Sequence, residues 1–279
     1  MNKNIKLIII LIFILSLCGC NKYDNFLSIH MIDVGQGDCI LIKTPQKKNI
    51  LIDGGDEDAY KIISSYLKWN KVKNLDIIIA THFDKDHIGS LDNVIDNFNV
   101  KKVYTPNQKD NSEHYNNLLN SCRNKNIEIY NLQKDDKLNI DKNISIHVLS
   151  PSYIQDNSNS NSIVFNFKFK DMDFLFTGDC EEENEKQIIS SYNLKDVDFL
   201  KVAHHGSSSS SSNEFIKETR PSIAAISCGY KNNYGHPHKS TIDTLKEYNV
   251  NIFRTDINGD LVFYSDGSKI FTTKKYKSN

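Results

Sequence analysis

From Phe26 onward the chain alternates short apolar runs with polar breaks, which predicts brief strands joined by turns and helices. Leu27–Val34, Asp38–Lys43 and Asn49–Asp53 are the first three runs. They are separated by Gly35-Gln36-Gly37 and Pro45-Gln46-Lys47-Lys48, compositions that turn the chain back on itself. Helical spacing covers Ala59–Trp69, and Asp76–Ala80 returns to strand. Within it Ile77-Ile78-Ile79-Ala80 is apolar at successive positions, as a strand buried on both faces requires. Helices are predicted at Ile88–Phe98, Ser112–Asn124 and Glu181–Tyr192, with strands at Lys102–Thr105, Ile127–Tyr130 and Ile144–Leu149. Ile163–Lys170 and Asp173–Phe176 read as a hairpin. Strands at Asp198–Ala203, Ser222–Ser227 and Asn251–Arg254 then interleave with helices at Asn213–Glu218 and Thr241–Tyr248. Leu261–Tyr264 and Lys269–Thr273 close the chain as a hairpin. The Asn/Ser-rich stretch Asp156–Asn161 is predicted as loop. The serine run Ser207–Ser212 is read as an ordered loop, because Ser211 and Glu214 have the spacing of a capping box for the next helix.

The first twenty residues follow another pattern. Lys3 and Lys6 precede an apolar stretch from Leu7 to Leu17, shorter than the roughly 20 residues of a membrane span and charged like an export signal. Its ending, Leu17-Cys18-Gly19-Cys20, resembles a bacterial lipobox with Cys20 as the lipidated residue; bulky Leu17 makes Cys18 the poorer candidate, and an uncleaved anchor is the alternative. The expected organisation is a signal peptide over residues 1–19, a tether over 20–25 and one domain over 26–275. That domain would lie outside the cytoplasm, held to a membrane. Removing the two leader lysines from the 34 basic side chains leaves 32 against 35 acidic ones. This balance predicts no broad basic face for nucleic acid, though a local groove is compatible with it. Cys39, Cys122, Cys180 and Cys228 have the spacing of neither a zinc knuckle nor a disulfide framework.

The chemistry concentrates where apolar runs end. Thr81-His82-Phe83-Asp84-Lys85-Asp86-His87 places two imidazoles and two carboxylates directly after a buried strand, where their desolvation is costly unless a divalent metal offsets it. Alternation from the strand end lets His82 and Asp84 reach one ion, and Asp86 and His87 a second. Asp53-Gly54-Gly55 is an acid and a tight turn at another strand end. Phe174-Leu175-Phe176-Thr177-Gly178-Asp179 delivers a further acid, suited to bridging two ions. Lys201-Val202-Ala203-His204-His205-Gly206-Ser207 ends in paired histidines. One such strand end is unremarkable, but several in one chain point to a metal site.

Together with Met31-Ile32-Asp33-Val34-Gly35-Gln36-Gly37-Asp38 and Tyr234-Gly235-His236-Pro237, these motifs resemble the metallo-β-lactamase superfamily. The nearest resemblance is to the extracytoplasmic hydrolase domain of ComEC-type DNA-uptake proteins, and bacterial phosphorylcholine esterases share much of the pattern. The resemblance implies an α/β fold, a four-layered αββα sandwich with the site where the two sheets meet. It implies one or two divalent ions, Zn²⁺ or Mn²⁺, with His82 and Asp84 on the first, Asp86 and His87 on the second and Asp179 between them. His205 is expected as the last ligand, leaving His204 to contact substrate or donate a proton, and Asp53 to orient ligands from behind. Asp84 stands where many members of the superfamily have histidine. Their third histidine, after the strand Ile144–Leu149, is replaced here by Ser150-Pro151, and His147 is read as a strand-face residue. The first position is thus oxygen-rich, which favours a hard ion such as Mn²⁺. Asn161 and Ser162 resemble the branch's Asn-Ser element and, with Ser207, are expected to hydrogen-bond substrate.

The resemblance further implies hydrolysis of a phosphodiester by a water that the metal ions activate. Asp86, His204 and His236 are the residues expected to carry the chemistry. The substrate would be a DNA strand or a phosphorylcholine ester of surface polymers. A lipoprotein that only binds a partner is the rival from another class, and the intact ligand set counts against it. Asp84 and the missing histidine count against β-lactam hydrolysis.

Overall fold

The computed structural model describes residues 25–274. The predicted leader, Cys20 and all but the last residue of the tether lie outside them. Two sheets carry the fold. In the first, eight strands are ordered Ile270–Thr272, Leu261–Ser265, Leu27–Met31, Ile40–Lys43, Asn49–Ile52, Ile77–Ile79, Val103–Pro106 and Ile129–Leu132. In the second, seven are ordered Asn251–Arg254, Ile223–Ile226, Phe199–Lys201, Met172–Phe176, Val164–Phe169, Ile144–Ser150 and Lys137–Asp141.

Side-chain alternation explains why the sheets pack face to face. Ile29, Ile42 and Ile79 from the first sheet meet Phe165, Phe176 and Phe199 from the second in one buried cluster between them. The opposite faces are covered by helices. Leu41, Leu51 and Ile78 pack under Ile63 and Leu67 of the helix Tyr60–Trp69 and Val94 of Leu91–Asn97. Leu175, Leu200 and Ala224 pack under Ile188, Phe215 and Leu245 from three helices on the other side. The layers are therefore helix, sheet, sheet, helix, with the parallel half of each sheet ending on the same side. Ile52 pairs with Ile79 in one, and Phe176 with Lys201 in the other. Strands buried on both faces release their polar residues only at their ends, which is where the site forms.

Local departures have identifiable causes. The helix expected over Ile88–Phe98 is two short helices, Lys85–Ile88 and Leu91–Asn97. The chain leaves helical geometry between them at Ser90, φ −108° and ψ 1°, whose hydroxyl donates to Asp56 O; Gly89 before it stays helical, with Glu57 N 2.5 Å from where a Cβ would stand. The strand Lys137–Asp141 was not expected: Leu138 and Ile140 alternate along it and pack against the core between the sheets, but two apolar residues among Lys137, Asn139 and Asp141 make a short signal. The helix Asn213–Thr219 is capped by Ser212, whose Oγ accepts from Phe215 N at 3.2 Å, instead of by Ser211. Ser211 has φ +53°, and its N–H donates to the buried Glu185 carboxylate together with that of Ser212. The serine run is thus an ordered loop. The four cysteines are buried free thiols.

Candidate metal centre

Asp53 organises the first half of the site. It is fully buried with φ +58°, a left-handed conformation that among residues with a side chain Asn, Asp and His adopt most readily. One carboxylate oxygen accepts from Thr81 N at 2.8 Å; the other accepts from Thr81 Oγ1 and His87 Nδ1, both at 2.8 Å. Because the Thr81 hydroxyl gives its proton to Asp53, its oxygen accepts from His82 Nδ1 at 3.1 Å. Both histidines of the loop are thereby oriented with Nε2 turned away from Asp53. The second sheet supplies the rest. Asp179 follows Met172–Phe176, with its N–H donating to Ser162 Oγ at 3.0 Å. His205 lies in the turn Ala203–Gly206 after Phe199–Lys201 and donates from Nδ1 to Ser227 O at 2.9 Å. His204 and His205 both have left-handed backbone, at φ +49° and +53°.

The three Nε2 atoms of His82, His87 and His205 are buried and have no hydrogen-bond partner. Asp179 Oδ2 stands 3.3 Å from both His87 Nε2 and His205 Nε2, and Asp86 Oδ2 is 3.2 Å from His205 Nε2. Four overlapping groups of three ligand-type atoms result: His82–His87–Asp179 and Asp86–His87–His205 on the open side, and Asp38–Asp53–His87 and Asp38–Asp179–His205 beneath them. Imidazole nitrogens and carboxylate oxygens converging at this spacing fit a borderline divalent ion, which would displace the protons from Nε2, and the Nδ1 hydrogen bonds fix the ligating tautomer. Asp84 is more peripheral: its side chain is 43% exposed and Oδ2 is 3.8 Å from His82 Nε2.

Electrostatics follow from the crowding. Burial penalises a charged His205, yet Asp179 and Asp86 outweigh it and push its pKa up to about 10. Burial likewise opposes a charge on His87, while Asp179 and Asp53 raise it well above the usual value. His82, desolvated and beside His87, is held well below it. A histidine raised in the folded state stabilises the fold below its unfolded pKa, roughly 6.5, and loses that contribution as pH rises through its folded value. Metal-free protein is therefore expected to melt at progressively lower temperature from pH 7 to 10. Mn²⁺ affinity is expected to rise over the same range, because the ion displaces these protons. Thermal melts across pH with EDTA and with Mn²⁺ check both; a metal-free midpoint that climbs with pH would contradict the charge arrangement.

The remaining predicted site residues divide. His204, on the open side, has Nε2 4.0 Å from Asp179 Oδ2 and its ring 5.6 Å from that of His236. His236 is stacked beneath the exposed Tyr234. Burial and the neighbouring histidines lower its pKa to about 4, so it is a neutral imidazole at pH 7. Asn161 does not face substrate, which corrects its expected role: it is fully buried, and its amide is closed onto Gln155 by bonds of 2.7 and 2.8 Å. Ser162 is fully buried as well and serves Asp179 N. Ser207 is nearly buried and pairs with Ser209 Oγ at 3.1 Å. His147 lies on the strand Ile144–Ser150, near Asp135. Two residues escaped the sequence reading, Asp38 and Lys201, each 1% exposed at the base of the site. A lysine inside the apolar run Phe199–Ala203 was the available signal.

With the four layers and these strand ends in place, residues 32–230 match the metallo-β-lactamase superfamily, and the chain belongs to it. Within it the chain falls in the ComEC-type branch. It is 31% identical to ComE operon protein 3 of Bacillus subtilis over 90% of this chain and 34% of that protein. It is 26% identical to Competence protein ComA of Neisseria gonorrhoeae over 86% of this chain and 32% of that one. The chain thus spans about a third of the length of these relatives. Among solved structures, the metallo-β-lactamase fold protein YhfI of Bacillus subtilis superposes with a TM-score of 0.61 at 12% identity. That match covers 86% of this chain and all of the other, a likeness of fold.

Proposed function

We propose that this chain is a metal-dependent phosphodiesterase that acts outside the cytoplasm on a nucleic-acid strand. The observation that carries the reading is the set of three buried, unpartnered Nε2 atoms converging with Asp86 and Asp179. The similarity to competence proteins supports the choice of DNA. His82, His87, His205, Asp86 and Asp179 would hold the metal, with Asp84 beside His82 at the more open position. When bound, a divalent ion supplies Lewis acidity toward a phosphoryl oxygen and lowers the pKa of water.

The chain's own residues do the rest. Asp53 and Thr81 keep the two loop imidazoles in the ligating tautomer, and Ser162 fixes the backbone of Asp179. His204 is the partly exposed group nearest the ligands and is placed to hydrogen-bond or protonate the leaving oxygen. His236, neutral, contributes a hydrogen bond and keeps His204 packed.

The test is turnover by EDTA-treated protein reloaded with Mn²⁺ or Zn²⁺. Its substrates are single-stranded DNA, bis-p-nitrophenyl phosphate and p-nitrophenylphosphorylcholine. Metal-dependent cleavage of the first two is expected. No turnover of any of them would sink the phosphodiesterase reading, and turnover of the choline ester alone would move the substrate to surface polymers. His204→Ala should lower kcat by about 10²-fold or more if it delivers a proton, with Mn²⁺ affinity nearly unchanged. Membrane attachment through Cys20 belongs to the same proposal: Cys20→Ala should release the protein from membranes or leave an unprocessed precursor.

A further inference from the structure

Beneath the proposed ligands lies a buried ion pair with no part in the reading above, although the inference from it rests on that reading. Lys201 ends the strand Phe199–Lys201, and its ammonium meets three acceptors. It contacts Asp38 Oδ2, donates to Gly178 O at 2.8 Å and lies 3.5 Å from Asp179 Oδ1. Asp179 is thus divided: Oδ1 faces the ammonium and Oδ2 faces His87 and His205 at 3.3 Å each. Asp38 stands behind the same two rings, with Oδ1 3.6 Å from His205 Nδ1 and Oδ2 3.8 Å from His87 Nδ1. Its backbone joins the ligand-bearing loops as well. Asp38 N donates to Asp86 O at 3.1 Å, and Asp38 O accepts from Gly55 N at 2.8 Å. The Gly35-Gln36-Gly37-Asp38 motif therefore ends on an acid that touches ligand loops of both sheets.

We propose that Asp38 and Lys201 are positioning residues of the metal centre, an internal ion pair that fixes which oxygen of Asp179 is presented to the metal. A lone ammonium this near a divalent ion would weaken its binding by repulsion. Paired with Asp38, it adds almost no net charge, so its effect is one of orientation. Asp179 Oδ1 has no hydrogen-bond partner and is held by the attraction of the ammonium 3.5 Å away, which favours presenting the other oxygen to the metal. Without that attraction the carboxylate rotates, and the ion loses a ligand held in place.

Removing both charges together separates orientation from charge. Asp38→Asn/Lys201→Met leaves the local net charge unchanged and no buried ion unpaired. It is expected to bind Mn²⁺ on the order of 10–100-fold more weakly than wild type, the usual cost of losing a partner that orients a ligand. Calorimetric titration of the folded variant reads this directly, with circular dichroism and melting to establish the fold. A Kd within twofold of wild type would overturn the proposal and leave the pair a merely structural one. A second measurement needs no variant. In wild-type protein the Lys201 ammonium resonance is expected to shift on Zn²⁺ titration with the midpoint of binding; an unshifted signal overturns the proposal even if the double variant does not fold. Failure of wild-type protein to bind either ion would instead remove the metal-centre reading itself.

Discussion

Asp179→Ala is expected to abolish metal-dependent hydrolysis and to leave a folded protein that no longer binds Mn²⁺ tightly. One oxygen of Asp179 lies 3.3 Å from the Nε2 atoms of both His87 and His205, so a single substitution removes the point where the ligands converge. In the metal-free protein the loss also removes the main charge that keeps those imidazoles protonated. They are then expected to titrate nearer the ordinary histidine range. Lys201 keeps Asp38 and Gly178 O as partners, so no buried cation is stranded and the fold survives. Metal catalysis supplies several kcal/mol of transition-state stabilisation, so kcat/KM should fall on the order of 10³-fold or more. Single-turnover rates and calorimetric Mn²⁺ binding on the same preparation check this. A variant that cleaves at the wild-type rate would mean Asp179 is not a ligand. A variant that binds Mn²⁺ normally but is inactive would move it from binding to chemistry.

The contrast between Asp179 and Lys201 shows what the sequence makes legible. A strand buried on both faces is a continuous apolar run, and polar residues just past its end stand out; His82, His87, Asp179 and His205 were found in that way. They follow the ends of three strands, His82 and His87 sharing one, so their places are set by local pattern and sheet order. Asp38 and Lys201 are defined by what they meet across 163 residues of chain, at the junction of two sheets. Asp38 breaks no local rule, and the lysine within the apolar run Phe199–Ala203 marks an anomaly without naming its partner. Asn161 failed for the opposite reason. Its amide is satisfied within its own loop by Gln155, a short-range closure that a polar, asparagine-rich stretch does not reveal in advance. The break between the two short helices was equally hidden: it falls at Ser90, whose hydroxyl donates to Asp56 O, far away in sequence.

Gly37→Ala is expected to cost roughly 3 kcal/mol of stability or more, and to impair metal binding with it. Gly37 has φ +124°, outside the region that residues with a side chain adopt, and about 1–3 kcal/mol is the usual cost of such backbone. A Cβ there would also overlap the carbonyl oxygen of Asp86, the backbone group that accepts from Asp38 N. Relieving that overlap moves either the His82–His87 loop or the Asp38 turn, and overpacking of this kind adds about 1–3 kcal/mol. Gly35→Ala two residues earlier is the internal control. It too has positive φ, +79°, but nothing lies within 4 Å of its Cβ position, so only conformational strain of about 1–2 kcal/mol is expected. Chemical denaturation of the two variants, each with and without Mn²⁺, separates the contributions. Gly35→Ala should lose stability equally in both states. Gly37→Ala should lose more in the presence of Mn²⁺, because the backbone it displaces carries Asp86. Equal losses at the two glycines would show that the Asp38 turn does not brace the metal loop.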